Sequence, residues 1–215
     1  MRQSCWLSAL ALVTLLAGCA TTGGPAGQPA GTEKKSADRP APAEPVPLNL
    51  AKQRHSRFAR LKSWRIEGRL GIQQGNEGFS TEMVWRQNGR NFDIQLTDPL
   101  GREVARLSGN DKGVQMKTMD GKQARAKRAE DLLEKQLGWS FPVQSLFYWV
   151  KGTPDPNYLV WFQEYDDLGR LVSLKQNHWN LKISRYQNLG DEFIPRLIRM
   201  TRDGLKVKLL IRNWE

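Results

Sequence analysis

Period-two alternation of apolar and polar side chains, repeated along most of the chain, constrains this sequence more than any other feature. In residues 64–72, Trp64, Ile66, Gly68, Leu70 and Ile72 alternate with Arg65, Glu67, Arg69 and Gly71. Phe79, Thr81, Met83 and Trp85 alternate with Ser80, Glu82 and Val84, and Phe92, Ile94 and Leu96 with Asp93, Gln95 and Thr97. Successive side chains of a strand point to opposite faces, so this pattern predicts half-buried antiparallel strands. Gly75-Asn76-Glu77-Gly78 and Asn88-Gly89-Arg90-Asn91 supply hairpin connections. A further hairpin, 103–108 with 113–119, turns at Gly109-Asn110-Asp111-Lys112. Strands resume over 158–165, 169–176, 178–186, 195–202 and 204–212, with turns at Asp166-Asp167-Leu168-Gly169 and Asp203-Gly204.

Two stretches have a different texture. After Asn49, a helix cap, Leu50, Arg54, Phe58 and Leu61 recur near the helical period among Lys52, Arg57, Arg60 and Lys62, which predicts a basic amphipathic helix. Ala129 to Leu137 is helical in composition and stops at Gly138; Pro142 then opens a second short helix through Val150. Short turns between successive strands give a meander, and a long antiparallel sheet curls. The expected fold is mainly β with α: an open antiparallel half-barrel of about ten to eleven strands, with a helical lid or plug on its concave face.

The N-terminus sets the compartment. Met1-Arg2 opens a positive start, Trp6 to Leu16 is an apolar run, and Leu16-Ala17-Gly18-Cys19 closes it. This is the layout of a signal peptide, and the run is shorter than the about 20 apolar residues a membrane span needs. The closing motif resembles the bacterial lipobox, which implies cleavage after residue 18 and acylation of Cys19. Ala20, and not Asp, follows the cysteine, so the resemblance points to a lipid-anchored protein of the outer membrane of a Gram-negative cell, facing the periplasm. Residues 19–47 are Pro-, Gly-, Ala- and Ser-rich and aperiodic, a flexible tether; 48–215 form the folded domain. Lys+Arg 33 against Asp+Glu 22 gives a net charge of +11. Export argues against nucleic acid, leaving an acidic partner, anionic lipid or a merely soluble surface.

No enzyme is legible. His55 and His178 sit in no metal-ligand spacing, and no phosphate loop or Gly-x-Ser-x-Gly elbow is present. No catalytic residue, metal or cofactor is expected. The inward faces, by contrast, carry wide, soft side chains: Trp64, Met83, Trp85, Leu96, Met116, Leu146, Trp149 and Trp179. Such side chains fill an ordinary core or make adaptable walls for flexible apolar ligands, and a barrel of this size can be wide enough to leave a cavity. Asp98-Pro99-Leu100-Gly101 has the signature of a type I turn and puts Leu100 at its tip. These residues leave open whether that leucine stands out as an apolar probe or folds back.

Over residues 55–214 the chain resembles the LolB family of outer-membrane lipoprotein receptors. The resemblance rests on Trp64-x-x-x-Gly68-Arg69, Trp85, Asp98-Pro99-Leu100-Gly101 and the run Leu137-Gly138-Trp139-x-Phe141-Pro142-Val143-x-x-Leu146-x-x-Trp149-Val150-x-Gly152. Gln176-x-x-Trp179, Tyr186, Pro195 and Trp214 continue it. His178 stands where the family often has Gly, the tether is long, and Asp98 replaces the Asn of some members. The resemblance implies an open barrel with a helical lid, an apolar acyl cavity, and a protruding loop whose tip maps onto Leu100. It implies a monomer that takes acylated lipoproteins from a LolA-like periplasmic carrier and inserts them into the outer membrane. Two other classes stay open: a structural or adaptor lipoprotein with a filled barrel, and a binding module for a small apolar lipid.

Overall fold

The computed structural model describes residues 46–138 and 141–215. The signal segment, Cys19, the tether up to residue 45 and Trp139 lie outside them. Helix α1 (Val46–Arg60) starts earlier than a cap at Asn49 would have it. Pro47 explains this: in a first turn its missing N–H leaves nothing unpaired, and its φ is already helical. Ala51, Arg54 and Phe58 form the buried stripe. Arg54 donates to Glu192 Oε2 at 3.1 Å and to the Phe193 carbonyl, which ties α1 to the sheet.

Eleven strands follow: β1 (Ser63–Gln74), β2 (Glu77–Asn88), β3 (Asn91–Thr97), β4 (Glu103–Asn110), β5 (Gly113–Thr118), β6 (Gln123–Ala126), β7 (Val160–Tyr165), β8 (Leu171–Gln176), β9 (Trp179–Leu189), β10 (Glu192–Arg202) and β11 (Leu205–Trp214). They form one antiparallel sheet in the order β6-β5-β4-β3-β2-β1-β11-β10-β9-β8-β7. Sequence neighbours pair throughout, except that β1 joins β11 and the helical insertion separates the edges β6 and β7. Helix α2 (Ala129–Leu137) ends on Gly138 at φ 76°, and α3 (Val143–Trp149) follows Pro142. The inward residues Ile66, Leu70, Met83, Trp85, Leu181, Ile198 and Leu209 share one core with Leu132, Leu133, Leu146, Trp149 and Val150 of the insertion. The sheet therefore curls around its helices, which plug the concave face.

Three local features show how the chain makes this shape. Gly68 sits at a register shift between β1 and β11, and a Cβ there would lie 2.0 Å from the Leu210 carbonyl oxygen. Only glycine lets these two strands come together at that point. Pro195 lies inside β10, where the register with β9 also shifts, so its missing N–H falls at a bulge and not in a regular ladder. Strand β6 carries no apolar alternation to announce it; it exists by pairing with β5.

One buried amide fastens the plug to the wall. Gln176, 1% exposed at the end of β8, accepts from Trp149 Nε1 at 3.0 Å and from the Asp155 N–H at 2.8 Å. Its Nε2 donates to the carbonyls of Asp155 and Tyr158, both at 2.8 Å. Asp155, equally buried, accepts from Ser145 Oγ of α3 at 2.8 Å and from Asn157 N at 2.9 Å. Close by, Lys151 is 2% exposed, with Nζ 3.8 Å from the Phe147 ring centre and 3.5 Å from the Phe58 carbonyl near the end of α1. Burial pushes its ammonium down to about 8.

Gln176→Leu would leave three buried groups, the Trp149 indole N–H and the N–H and carbonyl of Asp155, unsatisfied at about 1–3 kcal/mol each before relaxation. Urea unfolding should show a loss of about 3 kcal/mol or more. His178 offers the opposite test. It is exposed and joins β8 to β9 in a two-residue turn in which Asn177 and His178 have φ of 50° and 62°. A side chain there is strained, so His178→Gly should stabilise the protein by about 1 kcal/mol in the same measurement.

Candidate functional site

The concave face of β1–β5 does not close completely on the helices. It leaves a cavity of about 390 Å³, within the range of about 300–1,000 Å³ typical of ligand sites. Leu70, Ile72, Met83, Trp85, Ile94, Leu96, Leu107 and Met116 form its wall, and Leu133, Phe141, Val143 and Leu146 its lid. The polar lining side chains, Ser80, Thr81, Asp98 and Thr118, gather at one level. Thr81 Oγ1 donates to the Thr97 carbonyl at 2.7 Å, and Thr118 pairs with Ala105 beside Val104. That level is the mouth, where β3–β4 and β5–β6 turn over.

The β3–β4 connection is built to hold its tip rigidly. The Asp98 N–H donates to the Arg102 carbonyl and the Gly101 N–H to the Asp98 carbonyl, both at 2.9 Å. Gly101 takes φ 82°, which makes a type I turn closed by a left-handed glycine. Asp98 Oδ1 accepts from the N–H of Leu100 at 2.9 Å and of Arg102 at 3.0 Å, while Arg102 Nε donates to Oδ2 at 2.7 Å. Desolvation raises the Asp98 pKa, but the Arg102 side chain and the two backbone donors together outweigh it and hold the carboxyl below its usual range. Pro99 restricts φ at the turn. None of these bonds uses the Leu100 side chain, which is 79% exposed. The orientation that the sequence leaves open is outward.

Of the eight apolar candidates, Met83, Trp85, Leu96, Met116 and Leu146 line this cavity. Trp64, Trp149 and Trp179 are buried elsewhere. Trp64 packs 5.0 Å from Trp85, 5.2 Å from Trp214 and 5.9 Å from Phe147, at the end of the sheet away from the mouth. Trp149 is held by Gln176, and Trp179 meets Phe141 edge-on at 6.1 Å. Strand parity finds the inward face; position along the strand decides which inward residues reach the cavity. Leu70, Ile72, Val104 and Leu107 line it by their height on the strands, and Leu133 and Val143 reach it from the helices, positions that alternation alone does not mark. No helix among the described residues is long and apolar enough to cross a membrane.

A sheet curled around an apolar cavity, with a rigid apolar tip at its mouth, defines a receptor for flexible apolar ligands. The same fold occurs in a LolA superfamily protein from Nitrosomonas europaea, with TM-score 0.51 and 9% identity over 80% of this chain and 93% of that one. It also occurs in a DUF1329 family protein from Desulfovibrio piger, with TM-score 0.55 and 10% identity over the same shares. The family model for the outer membrane lipoprotein LolB matches residues 62–214. The chain is 33% identical to the outer-membrane lipoprotein LolB of Stutzerimonas stutzeri over 213 residues, 97% of this chain and 94% of the relative. With that of Francisella tularensis subsp. tularensis it shares 34% over 215 residues, 100% of this chain and 95% of the relative. The chain belongs to the LolB family.

Filling the cavity should separate binding from folding. Leu96→Trp enlarges an apolar side chain that already lines the void. Binding of a fluorescent long-chain fatty acid should weaken about tenfold or more, a loss of about 1.4 kcal/mol. The melting temperature, followed by circular dichroism, should stay within a few degrees.

Proposed function

We propose that this protein takes acylated lipoproteins from a LolA-like periplasmic carrier, shelters their acyl chains in the cavity under α2 and α3, and delivers them to the inner leaflet of the outer membrane. It sits there itself, anchored through acylated Cys19. Two or more acyl chains give stable anchoring. The observation that carries this reading is the apolar cavity opening beside a rigid hairpin with an exposed leucine. An unfilled cavity also weighs against an adaptor with a packed barrel.

The role needs no reaction chemistry. Each methylene kept from water contributes about 0.8 kcal/mol. Acyl chains therefore pass from carrier to receptor to bilayer without an energy source, provided each site shields them better than the last. Met83 and Met116 give the wall the adaptability that differing acyl chains require. The charge of +11 suits an acidic carrier face and would speed encounter.

Leu100 acts in delivery. Burying one leucine contributes about 1.5–3 kcal/mol, enough to bring the hairpin transiently to a bilayer and too little to hold it there. Leu100→Glu puts a charge at that surface. The variant should take up lipoprotein from the carrier at the normal rate and transfer it poorly to liposomes. A two-step assay reads this directly. Equal impairment of both steps, or of neither, would remove Leu100 from the insertion step.

A further inference from the structure

The β3–β4 hairpin has a structural twin beside it. In the β5–β6 connection, the Thr118 N–H donates to the Lys122 carbonyl at 3.0 Å and the Gly121 N–H to the Thr118 carbonyl at 2.9 Å. Gly121 takes φ 80°, against 82° at Gly101. In both loops a basic residue closes the turn on an internal aspartate: Arg102 on Asp98, and Lys122 on Asp120, at 2.6 Å in each case. Both loops lie at the same end of the sheet, since β4 leaves the first and β5 enters the second. The Met119 N–H donates to the Val104 carbonyl at 3.1 Å, which ties the second loop to the strand that leaves the first.

Each loop again lifts an apolar side chain into solvent. Met119 is 65% exposed and Leu100 79%. Asp98, Val104 and Thr118 all line the cavity, so both tips stand on one edge of its mouth. A third loop of similar build, 166–170, also exposes a leucine, Leu168 at 51%, but away from the cavity mouth. It lies at the opposite end of the sheet, and Gly169 packs so closely on α1 that a Cβ there would be 2.6 Å from Leu50 Cβ. The mouth loops also present no unneutralised carboxylate of their own to an anionic surface, because Arg102 and Lys122 pair with Asp98 and Asp120.

We propose that Met119 is a second membrane-contacting tip, and that it and Leu100 together seat the cavity mouth on the phospholipid surface. The proposal rests on the delivery role of Leu100 and extends it. One exposed leucine touches a bilayer at a point and leaves the mouth free to swing away. Two tips on adjoining hairpins fix an edge of the mouth against the lipid. An acyl chain then leaves past that edge into the bilayer without crossing water. Met119 suits this use, because an unbranched thioether adapts to irregular apolar surroundings.

The test uses the acylated full chain in vesicles of phosphatidylethanolamine and phosphatidylglycerol that contain brominated phospholipid. A fluorescent label is placed in turn through Leu100→Cys, Met119→Cys and Asp111→Cys, the last at the opposite end of the sheet. Labels at 100 and 119 should be quenched several-fold more than the label at 111. In the two-step assay, Met119→Glu should reduce transfer to vesicles several-fold with normal uptake from the carrier, and Met119→Leu should transfer normally. The proposal requires both results. Quenching at 100 but not at 119, or normal transfer by Met119→Glu, overturns it and leaves the Leu100 reading standing. Quenching at neither tip overturns both.

Discussion

The amide of Gln176 is the interaction on which the site depends. A curled sheet with a concave apolar face has no cavity until something covers it, and the cover here is a short insertion of two small helices. Helix α3 spans only Val143–Trp149, too short to be stable alone. Gln176 holds it by satisfying the Trp149 indole, the Asp155 N–H and two carbonyls of the returning chain at once. All four hydrogen-bonding positions of the amide are used. A fully satisfied buried network of this kind fixes one arrangement, since any displacement leaves polar groups unpaired.

That rigidity lies on one flank of the barrel, and softness on the other. Around Gln176, Asp155 and Ser145 the packing is polar and specific. Across the concave face, the cavity wall is made of Met83, Met116, Leu96 and Ile94, with no charged side chain deeper than Asp98 at the mouth. The division suits a protein that must keep its lid in place while its contents change. The delivery role proposed for Leu100 and Met119 falls at the mouth, on hairpins whose shape is set by their own backbone and aspartate hydrogen bonds. Their apolar tips carry no structural duty and are free to meet a membrane.

The alternation of Trp64 to Ile72, and of Thr81 to Trp85, determined both the strands and their inward faces, because side-chain direction in a strand follows from parity alone. Gly138 and Pro142 likewise marked the helical insertion, since each has a conformational preference that needs no partner. Asp98-Pro99-Leu100-Gly101 determined its own turn, for the same local reason. Tertiary structure decided what depends on distant residues. The outward set of Leu100 follows from Asp98 and Arg102 closing the loop, with nothing among the described residues covering it. Whether an inward tryptophan lines the cavity or fills the core depends on its height along the strand, which places Trp85 at the void and Trp64 beneath it. Strand β6 and the bulge at Pro195 exist through pairing with neighbours, and Met119 became a surface feature only when its loop was set beside that of Leu100. Local preference and parity are written in the order of residues; height, pairing and proximity arise only when the sheet has curled and closed.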